Sequence, residues 1–578
     1  MALALGFVLF GWDLGGIGLV DETPPLFASS ARLMAESGDW LIPQVNGLPR
    51  YDKPPLVYWL MAGLYSLPGS ERWDPLGSWS AALPSALAST ALMVGLALLM
   101  AWWERAVLQR PQGLWLITPL LFGLSPLVVV WSRIGVSDSL LTALTAAALL
   151  AAWLRYACRS MPWWPSWLLL ALAVLTKGPV ALVLFALTWL GFAFSQGQPL
   201  ALARRLRLGP GLLLTAALAL PWYVAAAWRE GAPFLESFFG YHNLQRFTEV
   251  VNRHQAPWWL YLALLLVASL PWSGLLLLGL ARAWRQGCPE PRQSLARFCA
   301  WWIMAVLLLF SLSATKLPSY WLPATPAAAL LVALTLARPD RLCRSLIRAG
   351  VLTALALALL LGLSGRWLHQ LSDADLAELP LALAEAQLLP LAVALLLSGG
   401  LLGLALSLPR GFQPGRAVLP VQLSWLLLMP LVLAPVMRLG DGLRSQPIRR
   451  LALVARTTSP AGVPVAMLGV VRPSFHFYSR RPVAYEGTSA QALVNLNDRL
   501  NQEPRVRLDP AQDRLLVVAP LDLTQRKHWP QLLGALIQRQ GRFGLWWLDR
   551  RALQQRAAAL QRRQNLQPSW DRPRPERF

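Results

Sequence analysis

Four stretches of this chain, residues 81–103, 114–131, 258–280 and 386–408, carry no charged residue. Each is close to the ~20 residues a helix needs to cross a bilayer. In lipid the backbone must satisfy its own hydrogen bonds, so runs of this kind fold as helices that pack on one another. Composition agrees. Of the 578 residues 56% are hydrophobic and 14% charged, against about a quarter charged in soluble domains. The fold class expected is therefore mainly α, a polytopic membrane bundle.

Apolar runs separated by charged or proline-rich breaks predict about thirteen spans. They lie near 1–20, 80–102, 114–131, 139–154, 163–176, 180–195, 211–228, 258–281, 299–314, 320–337, 349–367, 386–408 and 417–437. The run 1–20 lacks a basic leader and an Ala-x-Ala cleavage site, so it reads as a retained first helix. With the N-terminus inside, Arg-rich connections at 104–110, 155–159, 204–207, 282–297, 338–348 and 410–416 all fall on the cytoplasmic side. The same clusters, with the tail, account for most of the net charge of +23 and suit anionic lipid rather than nucleic acid. The four cysteines, Cys158, Cys288, Cys299 and Cys343, show no metal-type spacing. They fall on the cytoplasmic side or within the membrane, where disulfides are not expected.

This topology places a long first loop, 21–79, and everything beyond 437 outside the cytoplasm. Three domains follow: a transmembrane unit 1–437, an extracytoplasmic α/β domain 438–563, and a disordered Arg/Pro/Gln-rich tail 564–578. Within the second, valine-containing runs at 463–471 and 514–520 read as strands. Residues 489–500 read as a helix, and 530–540 as another with proline in its first turn.

The first loop concentrates the chemistry. It opens on Asp21-Glu22, continues through Gly38-Asp39-Trp40 and Asn46-Gly47, and reaches Tyr51-Asp52-Lys53-Pro54-Pro55-Leu56-Val57-Tyr58-Trp59. Carboxylates at a membrane face are costly unless paired or lining a wet cavity, which marks them as functional candidates. Lys53 is held on a stiff extended backbone by the two prolines after it, a fixed cation suited to a lipid phosphate. The plainer reading is a solvated loop whose prolines end a helix.

Other outer breaks carry Arg133 with Asp138, Lys177, and Lys316 with Tyr320. Should the bundle close, these cations would converge with Lys53 as an anion clamp. Lone lysines at helix ends also snorkel without any ligand. His242, His254 and His369 fall in outer loops, where a histidine with Asp52 could hold a divalent metal or simply hydrogen-bond.

In this order the motifs resemble the polyprenyl-phosphate-sugar-dependent membrane glycosyltransferases, a group with lipid A aminoarabinose transferases and relatives of dolichyl-phosphate-mannose protein mannosyltransferases. The resemblance rests on Asp21-Glu22, Gly38-Asp39-Trp40, Asp52-Lys53-Pro54-Pro55, Asn243-Leu244-Gln245-Arg246-Phe247 with His254 and Pro257, and Lys316-Leu317-Pro318-Ser319-Tyr320. It covers residues 1–340 well and the rest more loosely.

What it implies is a type-C glycosyltransferase fold and transfer of a sugar from a polyprenyl phosphate, with inversion. The acceptor would be lipid A, another glycolipid or a protein. By motif, Asp21 is the catalytic carboxylate, beside Glu22 and supported by Asp138. Lys53, Arg133, Lys177, Arg246, Lys316 and Tyr320 would receive the donor phosphate. In the aminoarabinose branch the positions of Asp52 and His254 carry a metal, which makes zinc the one candidate cofactor. The implied assembly is a monomer in the cytoplasmic membrane, its site facing outward. One departure stands out: Pro24 occupies the place where the family usually has an arginine. The rival reading, a transporter or flippase of lipid-linked saccharides, would call for internal repeats, and none is evident.

Overall fold

The computed structural model describes residues 1–158, 160–251, 254–285, 287, 290–370, 373–460, 463–509 and 512–570. Asn252, Arg253, Cys288, the His369 side chain and tail residues 571–578 lie outside the described set. Eight helices among the described residues are long and apolar enough to cross a membrane: Ser78–Leu108, Asp138–Ala157, Leu208–Glu230, Pro291–Leu312, Pro318–Leu336, Arg341–Arg366, Leu388–Ser407 and Pro414–Thr458. The chain is a multi-pass membrane protein. Four shorter apolar helices, Ala2–Gly11, Leu114–Gly123, Trp164–Lys177 and Val180–Ser195, stand where four more spans were expected.

Two expected spans are broken. The run at 114–131 stops at Gly123 and restarts as Pro126–Trp131, with proline where a helix begins most easily. The run at 258–281 divides into Leu260–Val267 and Ser273–Arg285 around Pro271, which has no N–H to continue the ladder. At the bundle's centre every residue of Thr325–Leu336 is buried, and its alanines let neighbouring backbones approach closely.

The first loop is itself helical. Pro24-Pro25 open helix Thr23–Ser37, and Gly38 (φ 72°) closes it. Pro54-Pro55 then lead into helix Leu56–Tyr65. Between them Asn46-Gly47 (φ 52° and 78°) turn a short hairpin, β1 (Gln44–Val45) against β2 (Leu48–Pro49).

The last helix of the bundle does not stop at 437 but runs on to Thr458 and becomes a wall of the C-terminal domain. That domain holds β3 (Val465–Leu468), β4 (Val483–Glu486), β5 (Arg514–Pro520), β6 (Leu533–Gln540) and β7 (Phe543–Asp549). The sheet order is β4-β3-β5-β7-β6, parallel among the first three and antiparallel at β7 and β6. Its faces divide by alternation. Leu515, Val517 and Ala519 pack under helices Ala490–Gln502 and Arg550–Gln564, while Leu516 and Val518 pack on helix Gln446–Thr458 together with Leu19, Ala28 and Ala81 of the bundle. Both faces are covered, which is why these strands read as continuous apolar runs.

One expected helix is wrong. Residues 533–540 form the edge strand β6, closed onto β7 by the two-residue turn Gly541-Arg542. Pairing with β7 outweighs a weak helical preference here.

The domain is clasped to the first loop. Asn46 donates its side-chain N–H to the Val483 carbonyl at 2.9 Å and accepts the Val483 N–H at 2.8 Å. Its own N–H donates to His476 Nε2 at 3.1 Å. Tyr478 Oη accepts from Leu19 N at 3.0 Å, and Asp441, paired with Arg449 at 3.0 Å, accepts from Gly18 N at 3.0 Å.

Candidate active site

Helix Leu56–Tyr65 sets the first half of the site. Its first turn presents Tyr58, whose hydroxyl donates to Asp52 Oδ1 at 2.9 Å, while Arg50 meets Asp52 Oδ2 at 2.6 Å. Lys53 folds back over the same residue, with Nζ 2.8 Å from the Asp52 carbonyl and 3.6 Å from its carboxylate. Burial alone would raise the Asp52 carboxyl, but Arg50 and Lys53 outweigh it and hold it well below the usual carboxylate range. Burial lowers the Lys53 ammonium to about 8; Asp52 opposes the shift while Arg246 and Lys177 add to it.

The second half comes from the helix ends at 138, 177 and 320 and from the wide helical turn Glu236–Gln245. Lys177 Nζ sits 2.8 Å from Asp138 Oδ1 and 5.3 Å from the centre of the Tyr320 ring. Gly178 (φ 82°) lets the chain turn there, since a Cβ would stand 3.0 Å from Phe238. The turn Glu236–Gln245 places His242 and Asn243 alongside. His242 is buried, and burial with nearby Lys53 lowers it to about 3, so it is a neutral imidazole whose Nδ1 has no hydrogen-bond partner among the described residues.

These groups line one cavity of about 450 Å³. Asp52, Lys53, Asp138, Lys177, His242, Asn243, Arg246, Ser319 and Tyr320 form its polar end; Val180, Val183, Leu309 and Phe310 are among its apolar walls. A positively charged pocket continuing into an apolar groove suits an amphiphile with an anionic head.

Not every expected residue arrives. Asp21 lies outside the cavity lining, under the C-terminal domain, where Ser474 donates its N–H at 2.9 Å and its Oγ–H at 2.6 Å. Burial raises the Asp21 carboxyl above its ordinary value despite these bonds and the charges of Arg472 and Arg444. Glu22 beside it is exposed. Arg133 is buried elsewhere, donating to the carbonyls of Leu9 at 3.1 Å and Trp12 at 2.8 Å. Lys316 donates to Ser311 O at 3.3 Å and to Ser313 O, closing the end of helix Leu295–Leu312. Both cations therefore satisfy orphan carbonyls at helix ends, the structural use open to any lysine or arginine there.

The metal pairing also changes. His254 is exposed, its carbonyl accepting from Lys316 N at 3.1 Å, whereas a histidine that lines the cavity with Asp52 is His242. Asp52 is already engaged by Arg50 and Tyr58, and no group of three or more His, Cys, Asp or Glu stands ready for a metal among the described residues. This donor set does not fit zinc. Arg50 and Ser474 were not singled out in the sequence, and Tyr58 stood there only as part of its motif, with no role given to it. The Asp52-to-Tyr58 spacing across a proline-started helix is the one local signal that could have pointed to Arg50 and Tyr58.

A helical membrane bundle roofed by an α/β domain agrees with the resemblance read from the first loop, and known glycosyltransferases match this chain in both parts. Residues 52–224 match the family model of dolichyl-phosphate-mannose-protein mannosyltransferases. Residues 459–564 match the C-terminal domain of cyanobacterial RgtA-type glycosyltransferases. The undecaprenyl phosphate-α-4-amino-4-deoxy-L-arabinose arabinosyl transferase of Pseudomonas aeruginosa is 34% identical over 372 residues, 62% of this chain and 63% of that relative. Its counterpart in Erwinia tasmaniensis is 31% identical over 53% of each chain. The matched stretch thus spans less than two thirds of these relatives. Among solved structures, ArnT of Cupriavidus metallidurans bound to undecaprenyl phosphate superposes with a TM-score of 0.77 at 22% identity, covering 94% of this chain and 97% of that one. That likeness defines the fold.

Proposed function

We propose that this chain is an integral-membrane glycosyltransferase that moves a sugar, aminoarabinose or a related one, from a polyprenyl phosphate to an acceptor outside the cytoplasm. The observation that carries the reading is the joining of Lys53, Lys177 and Arg246 at the polar end of an otherwise apolar cavity. Three cations there would hold the phosphate while the apolar wall accepts the first isoprene units.

In the reaction, the acceptor oxygen bonds to the anomeric carbon as the bond from that carbon to the phosphate oxygen breaks. The phosphate leaves with the electron pair, and negative charge develops on it where the cations already stand. Displacement from the opposite face inverts the anomeric centre. The acceptor proton passes to a carboxylate. Asp21 suits this role because burial raises its proton affinity and Ser474 fixes its orientation. Asp52 and Asp138 are both ion-paired and so poorer bases. Asp138 nevertheless lines the cavity while Asp21 does not, and that placement favours a second reading in which Asp138 receives or orients the acceptor.

The distribution of arginines supports an outward-facing site. Purified protein with synthetic undecaprenyl-phosphate sugars and candidate lipid or peptide acceptors tests the proposal, with mass spectrometry for product and NMR for anomeric configuration. Movement of lipid-linked sugar across liposomes without a new glycosidic bond would replace it with the transport reading.

A further inference from the structure

A second cavity of about 260 Å³ lies where the first loop meets the C-terminal domain, and it shares no lining residue with the first. It gathers guanidinium groups from three separate parts of the chain: Arg32 of helix Thr23–Ser37, Arg456 of helix Gln446–Thr458, and Arg480 at the end of helix Pro473–Ser479. Arg32 is fixed in place, donating to the Phe477 carbonyl at 2.8 Å with its guanidinium 3.9 Å from the centre of the Phe477 ring. Arg480 pairs with Glu71 and, at 3.5 Å, with Glu36. Arg456 is exposed at the rim and has no ion pair among the described residues.

The pairing is uneven. Three carboxylates line the cavity with the three guanidiniums, but Asp74 is turned to the backbone N–H groups of Trp79 and Ser80, which it caps at 3.2 and 2.7 Å. Glu36 is shared by Arg32 at 3.6 Å and Arg480 at 3.5 Å, Glu71 pairs with Arg480, and Arg456 pairs with neither. The crowding is felt: after burial, Arg480 is the next cause lowering Arg32, to about 10, and Arg456 adds to it. An anion would relieve it, and planar guanidinium forks match a phosphate's oxygens.

Depth gives the source. Gly77, a lining residue, stands just ahead of helix Ser78–Leu108 and of the expected span 80–102, which puts the cavity beside the expected membrane boundary. Gly77 also permits the close approach that shapes the wall: its φ is 66°, and a Cβ would come within 2.4 Å of the Phe477 ring. Tyr65 and Phe477 add ring faces 6.3 Å apart.

We propose that this junction cavity is a second phosphate site, separate from the cationic cavity above, that holds the phosphate of a membrane-lipid headgroup between Arg32, Arg456 and Arg480. The inference stands whether or not the glycosyltransferase reading does. Full-length protein in detergent is titrated with phosphatidylglycerol and read by native mass spectrometry, with phosphatidylcholine and inorganic phosphate as comparison probes. Wild type is expected to retain phosphatidylglycerol in preference to phosphatidylcholine. Arg456→Glu should weaken the junction binding by about tenfold or more, and Arg456→Ala by less, because a charge-assisted bond to phosphate is lost. Lys53→Ala should leave the Arg456-dependent part intact. Arg456 is exposed, so both variants should melt as wild type does. Unchanged titration in Arg456→Glu, or an equal loss of phosphatidylcholine, would overturn the site. Displacement of the Arg456-dependent lipid by inorganic phosphate would overturn the lipid as its source.

Discussion

Two carboxylates of the same loop, Asp21 and Asp52, meet opposite fates. Asp52 faces the cavity among cations and is held ionised by Arg50 and Lys53. Asp21 sits under the C-terminal domain with a serine for its partner, and burial raises its affinity for a proton. One is held charged beside a lysine, and the other keeps a raised affinity for a proton. Desolvation and charge partners, not residue type, set the state of each, and under the proposed function the first would serve phosphate binding and the second proton transfer.

The sharpest way to break that comparison is to remove its cation. Lys53→Ala should cost about 100-fold or more in kcat/KM for the lipid-linked donor while the protein still melts cooperatively. Activity within a few-fold of wild type would detach the cavity from catalysis. Next comes the carboxylate pair. Asp21→Asn is expected to lower kcat by about 100-fold with donor KM little changed, and Asp138→Asn to do less. The reverse order would move proton transfer into the cavity.

The pH profile sharpens the contrast. Lys53 must be protonated to hold a phosphate, so kcat/KM for the donor should fall as pH rises through about 8, where burial has brought its ammonium. Stability should move the other way. Between about 8 and the ordinary lysine value of 10.5 the unfolded chain binds more protons at this residue than the folded one, so this contribution to unfolding free energy rises with pH. Thermal melts and initial rates across pH 7–10.5 read both.

A smaller effect tests the seam that buries Asp21. Asn46→Ala removes two side-chain hydrogen bonds to Val483 and should cost about 1–3 kcal/mol, seen as a lower melting temperature and earlier proteolysis of the C-terminal domain. The smallest effect expected is from chelation. With Asp52 already engaged by Arg50 and Tyr58, stripping divalent metal should leave donor binding unchanged in equilibrium titration.

Much was legible in advance. Hydropathy alone located the bundle, because lipid tolerates only helices whose faces are apolar. Inner strands β3 and β5 were visible as valine runs because both their faces are buried, whereas inner strand β7 was not read. Edge strand β6 was not visible either, since half of it is exposed, none of it is buried, and its conformation comes from pairing with β7. Span lengths were misjudged where prolines at 126 and 271 interrupt apolar runs whose hydropathy does not change.

For the site, Lys53, Asp138, Lys177, Arg246 and Tyr320 were named from motif and position, and they share one cavity. Arg133 and Lys316 bore the same signature but spend their charge on helix-end carbonyls. Residue type and sequence position determined that these cations would stand at helix ends near one face of the bundle. Whether each points at a cavity or back at its own helix depends on which carbonyls lie within about 3 Å, and chain packing alone decides that. The same holds for Pro24. Sequence shows only that the arginine is missing, whereas the fold shows the proline opening the helix that carries Arg32 to the junction. Composition and local pattern determined the membrane bundle and its charged loop. Tertiary structure decided which charges meet, because electrostatic partners are set by distances that sequence spacing does not contain.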